Sequence, residues 1–298
     1  MNFGAKDDTP EPQWSGEDSA IADVVVLFVV ALVLLLVLGA AVGPLGLGVS
    51  GDRKWGALCG VGIPEVVGLL LPAIGFLWRK GQLRLLRTLL VPVDRTQLVL
   101  RVGAGVLLGL GLFYFLAVWI EPLYERVVRI SFAEQRALQR MIAPPSGLRP
   151  LWLDLVTFAL VPALCEEVLF RGAILGGLIP SLLGQPAGAW RYRLPMVLLS
   201  ALLFGMIHLS WGRMVPTMLL GTSFAVAVLR GGSLWTAMAM HAVNNALVVV
   251  MVRQGQMSLS ALGLPKKLGL LPLAIAVTAV GWALLGRHRS AYESERDA

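Results

Sequence analysis

The sequence predicts an all-α polytopic membrane protein, with about eight transmembrane helices around a central intramembrane polar cavity. Three observations predict it. Of 298 residues, 57% are hydrophobic and only 14% charged, the balance of a chain that spends most of its length in lipid. The apolar residues run in segments long enough to cross a hydrocarbon layer about 30 Å thick. The ionisable residues inside those segments are few and clustered, and such groups, costing roughly 2.5 to 3.5 kcal/mol each on insertion scales, are retained where they have work to do.

Composition also excludes function classes. The net charge of +7 comes from short basic clusters between apolar segments, the pattern of membrane topology, and no aromatic-basic binding module accompanies it, so nucleic acid is not an expected partner. The two cysteines, Cys59 and Cys165, both lie in apolar segments, which indicates neither a disulfide framework nor a zinc ribbon. Cys165 reads as a packing residue rather than a nucleophile.

In order along the chain, residues 1–20 are polar and acidic and are expected to be a disordered tail. Val24 to Val42 carries no charge and is the first span, retained rather than cleaved as a signal. Ala57 to Leu77 is the second, with Pro64, Glu65 and Pro72 inside it; Glu65 stands in no motif and reads as a structural or supporting acid. Arg79, Lys80, Arg84, Arg87, Arg95 and Arg101 then face one acid, Asp94, so this loop is expected in the cytoplasm together with both termini. Its Leu83, Leu86 and Leu90 can line one side of a helix lying on anionic membrane lipid.

Val102 to Ile120 is the third span, whose Gly105 and Gly109 permit a close helix contact. Glu121 to Pro150 is a long polar connection read as an interfacial helix. Trp152 to Leu183 is the fourth apolar unit, too long for one straight crossing and expected to extend past the membrane or to break at Pro162 or Pro180. Leu194 to Leu209, Met214 to Leu229, Leu234 to Val252 and Leu268 to Leu285 complete the eight. The organisation is thus a tail (1–20), an N-terminal helical part with its basic loop (21–150), a core (151–252) and a last span with a basic tail (253–298).

The chemistry-bearing residues fall in that core. In CEEVLFRG, Glu167 and Arg171 are i, i+4 with the acid N-terminal, the favourable order for a neutralised pair, whereas Glu166 points about 100° away and gains no such partner. Of three histidines, His208 and His241 lie in predicted spans and His288 in the tail. Phe204 and His208 are i, i+4, as are His241 and Asn245, so each pair shares a helix face; Asn244 is read as pointing elsewhere. An acid pair, two imidazoles and an amide on three spans are expected to converge. Two chemistries fit. A carboxylate can act on water as general base with an imidazole, while imidazole and amide stabilise an oxyanion. Alternatively Glu166, His208 and His241 can hold a divalent metal such as zinc that acidifies its water. A proton-relay transporter and a non-catalytic immunity-type binding protein are the readings from other classes.

These residues resemble the motifs of the CPBP family, the CAAX-protease and bacteriocin-processing (Abi) group of intramembrane proteases. The paired glutamate with arginine four beyond stands as Glu166, Glu167 and Arg171, with Phe170 and Gly172 in the usual form; phenylalanine and histidine stand as Phe204 and His208; histidine and asparagine as His241 and Asn245. The resemblance implies peptide-bond hydrolysis near the membrane surface, with Glu166 and His208 activating water, His241 and Asn245 forming the oxyanion site, and Glu167, Arg171 and Phe204 supporting them. It implies no cofactor in the glutamate mechanism, which is preferred over zinc. The implied substrate is membrane-anchored or membrane-proximal: a C-terminal prenylated tail, a leader or a sorting segment. The expected location is a bacterial inner membrane.

Overall fold

The computed structural model describes residues 15–48, 56, 58–91, 95–128, 132–143, 149–178, 190–231, 233–256, 259 and 262–285. The expected disordered tail, Pro180 and His288 lie mostly or wholly outside these residues. Among the described residues every regular element is a helix. We number them α1 (Ser15–Gly48), α2 (Leu58–Arg79), α3 (Leu83–Leu90), α4 (Arg95–Tyr124), α5 (Phe132–Ile142), α6 (151–178), α7 (Trp190–Met206), α8 (Trp211–Gly231), α9 (Leu234–Arg253) and α10 (Leu264–Leu285).

Six of them are long and apolar enough to cross a membrane: α2, α4, α8, α9, α10 and the Ala20–Val42 part of α1. The expected count of eight is not established by length and composition. α6 carries Asp154, Glu166, Glu167 and Arg171 along its length, and the apolar part of α7, Arg193–Met206, is short. The outer helices show their lipid faces directly. On α1, Val24, Leu27, Phe28 and Ala31 are buried at helical spacing while Val25, Val26, Val29, Val30 and Val33 are exposed.

Close helix contacts explain the glycines on α4. A Cβ at Gly109 would stand 2.9 Å from the Met240 carbonyl oxygen, and one at Gly105 would overlap the Thr236 carbonyl, so both glycines of the small-residue pair admit α9 against α4. α9 is the central helix: α4, α6 and α8 all pack on it, and α6 meets α2 on its other side. The far end of α9 is tied to the start of α6 through Asp154, which is fully buried. Its Oδ1 accepts from Arg149 Nε at 2.7 Å and its Oδ2 from Arg253 at 2.7 Å.

α6 does not break at Pro162. Proline lacks a donor and its ring clashes with the carbonyl four residues back. Here the turn before it, Val156–Leu160, is widened into a π turn, with the Val161 N–H reaching back five residues to Val156. The same device recurs: the π turns Leu58–Gly62, Val66–Leu70 and Leu116–Ile120 each end two residues ahead of a proline, Pro64, Pro72 and Pro122. A fifth, Val168–Ile174, has no proline after it and instead follows the acid pair. Such isolated π segments gather at functional sites.

α3 also departs from expectation. Its apolar side turns largely into the protein: Leu86 and Leu89 are buried in the core, with Leu85 and Leu90 packed against it, while Leu83 stays exposed. Gly172 and Gly176 of α6 leave the room, since a Cβ at either would meet Leu86 at 3.3 Å or Leu85 at 2.9 Å. Trp235 Nε1 donates to the Leu90 carbonyl at 2.6 Å, fastening α3 to the start of α9. Arg84 and Arg87 remain exposed.

Candidate active site

The site is built where α2, α4, α5, α6, α7, α8 and α9 surround a cavity of about 350 Å³. From α6 comes the acid pair, and the helix separates its two members. Glu167 and Arg171 are fully buried, and Arg171 donates to Glu167 Oε1 at 2.9 Å, as the i, i+4 spacing predicts. The other side of the guanidinium donates to the Gly221 carbonyl on α8 at 2.8 Å. It also lies over the Phe204 and Phe224 rings, 4.5 Å and 5.2 Å from their centroids. Gly221 is a glycine for this reason: a Cβ there would stand 3.2 Å from Arg171 and 3.0 Å from Phe204.

Glu166 takes the other direction. It lines the cavity, and its Oε2 has no hydrogen-bond partner. The nearest cationic candidate is His241 Nε2 at 4.0 Å. His241, on α9, is held from behind: its Nδ1 lies 2.9 Å from Glu167 Oε1. A carboxylate there only accepts, so Nδ1 carries the proton and donates. The imidazole is further fixed by Phe224, stacked on it at 5.2 Å and 24°, and by Phe204, edge-on at 5.7 Å. Arg171, Glu167 and His241 therefore form one chain of charge-assisted contacts that sets the ring's orientation.

His208 stands in the turn after α7, beyond its end at Met206, and Leu209 closes that turn in the left-handed region with φ 50°. Its Nδ1 is 2.9 Å from the Phe204 carbonyl, which can only accept, so Nδ1 again holds the proton. Nε2 is left with the lone pair. Glu166, midway along α6, and His208, past the end of α7, both line this cavity. They make no direct hydrogen bond to each other.

Asn245 lines the cavity as expected. Asn244 does too, against the expectation that it points away. From His241, a step of three residues rotates by about −60° and a step of four by about +40°, so both amides flank the imidazole. Asn244 donates to Asn245 Oδ1 at 3.4 Å.

Four further charged groups on the cavity wall stand in no motif: Glu65 of α2, Glu121 near the end of α4, Glu125 just beyond that end and Arg213 of α8. Only their positions inside or at the ends of apolar segments mark them in the sequence. Glu166, His208 and His241, the three residues that could serve as metal ligands, all line the cavity. Among the described residues no three histidine, cysteine or acidic side chains are grouped so as to hold one ion.

Comparison with known proteins bears on the same segment. Residues 148–247 match the model of the Rce1-like family, described as type II CAAX prenyl endopeptidase Rce1-like. No curated protein and no solved structure matches the chain. The matched residues include every member of the three motifs, so the segment 148–247 is similar to the Rce1-like family.

Proposed function

We propose that this integral membrane protein is an intramembrane endopeptidase that hydrolyses a peptide bond with water activated by Glu166. The observation that carries the reading is the contrast between neighbouring acids. Glu167 is enclosed and held by Arg171 and His241, while Glu166 faces the cavity with an unpartnered oxygen. A general base needs such freedom, and a positioned imidazole beside it assists the proton. In the first step water oxygen attacks the carbonyl carbon, and the water proton passes to Glu166. His208 supports the transfer through the Nε2 lone pair that its bond to Phe204 leaves available. The oxyanion then forms beside His241 and Asn245. His241 donates to it from Nε2 when the ring carries both protons, and Asn245 donates from its amide. Collapse breaks the C–N bond, and the amine nitrogen takes a proton.

The cavity is walled mainly by apolar side chains, among them Phe113, Leu116, Leu138 and Phe158. That lining and the family description support a prenylated C-terminal tail as substrate. The reading is tested by comparing membrane proteomes of cells carrying the wild-type and Glu166→Ala proteins. The expected result is one or more membrane-bound proteins that lose their processed form. Identical processing in both would overturn it.

A further inference from the structure

Glu65 belongs to no motif of the site, yet it faces the same cavity as Glu166. It is 9% exposed, its Oε2 is shielded and unpartnered, and it makes no hydrogen bond or ion pair among the described residues. Its place is set by the backbone. Ile63, Pro64 and Glu65 form a short α turn between two π turns of α2, which packs against α6. Glu65 lies within electrostatic reach of both Glu166 and Cys165. An ionised carboxylate without partner would face apolar walls at high cost, whereas a protonated carboxyl brings its own donor. Two carboxyl groups on one cavity can divide the work, one taking a proton and one giving it.

We propose that Glu65 is the second working carboxyl of this site, giving a proton to the departing amine nitrogen while Glu166 takes one from water. The proposal rests on the endopeptidase reading. The protons balance as follows. Water loses one to Glu166 as its oxygen bonds to carbon; the C–N bond then breaks and its electron pair on nitrogen takes the Glu65 proton. Glu166 is left protonated and Glu65 ionised, and passage of one proton from Glu166 to Glu65 through water in the cavity restores the start.

A leaving group that needs no proton separates this role from any other. The probes are a prenylated CAAX-type peptide and the para-nitrophenyl ester of the same prenylated acyl fragment, both offered to the full-length protein in liposomes. Glu65→Gln keeps the shape but has no proton to give, so peptide turnover is expected to fall on the order of a hundredfold or more, while ester turnover stays near wild type. Glu65→Asp, which keeps the acid, is expected to recover part of the peptide activity. Unchanged peptide turnover in Glu65→Gln overturns the proposal. So does equal loss on both substrates, with or without a lowered unfolding temperature, which would make Glu65 a structural group. Glu166→Gln is expected to fail on both probes. If it does and Glu65→Gln is indifferent, only the Glu65 role falls; if the wild type cleaves neither probe, the endopeptidase reading falls first.

Discussion

Replacing Arg171 by methionine tests the frame behind the site. The guanidinium is fully buried and pairs with Glu167 at 2.9 Å. Its loss leaves a buried carboxylate with His241 alone, and breaking such a pair from one side costs about 3 to 5 kcal/mol. The Gly221 carbonyl, 2.8 Å away, loses its donor, worth about 1 to 3 kcal/mol if it stays dry. Methionine refills part of the volume against Phe204 and Phe224, and these terms share one site, so they do not add. We expect a net destabilisation of about 3 to 5 kcal/mol. The assay is unfolding in detergent of Arg171→Met, Glu167→Gln and the double variant. The double variant removes both charges, so it should be less destabilised than the sum of the singles by about 1 to 3 kcal/mol. An Arg171→Met protein as stable as wild type but inactive would refute this reasoning and move Arg171 into the chemistry.

Asn245→Ala should lower turnover by about a hundred- to a thousandfold with unchanged folding if its amide serves the oxyanion; a rate near wild type, measured on purified protein, assigns the amide elsewhere. Gly109→Leu should prevent α4 from seating on α9, because the Met240 carbonyl leaves no room for a Cβ, and loss of the folded species in detergent chromatography checks it. Asp154→Asn should loosen the junction of α6 and α9 by removing the acid shared by Arg149 and Arg253. The cost is about 3 to 5 kcal/mol by the same buried-charge argument, read as a lower unfolding temperature.

The part of the site that was legible in sequence is the part written in i, i+4 steps. Glu167 with Arg171, Phe204 with His208 and His241 with Asn245 keep their shared faces, even though Arg171 lies in a π turn and His208 in the turn after α7. Asn244 departs from its expected direction because it stands three residues from His241, a rotation of about −60° that keeps it beside the imidazole. Glu65 could not be ranked because its role in the cavity comes from packing between α2 and α6, which a lone acid in a span does not announce. The leucines of α3 show a similar limit. A short amphipathic stripe beside arginines reads alike whether the apolar side meets lipid or protein, and the deciding space, at Gly172 and Gly176, lies far along the chain. The uninterrupted course of α6 depended on a π turn ahead of Pro162, a backbone adjustment with no residue signature of its own.

The central claim is that Glu166 activates water without help from a metal. Its most direct test is cleavage of a prenylated CAAX-type peptide by purified wild-type and Glu166→Gln protein in liposomes, each with and without a strong zinc chelator, in heavy-oxygen water. The expected result is a wild-type product with heavy oxygen in its new carboxylate, formed at nearly the same rate with chelator present, and no product from Glu166→Gln. Wild-type turnover that chelator abolishes and zinc restores, or full turnover by Glu166→Gln, would contradict it.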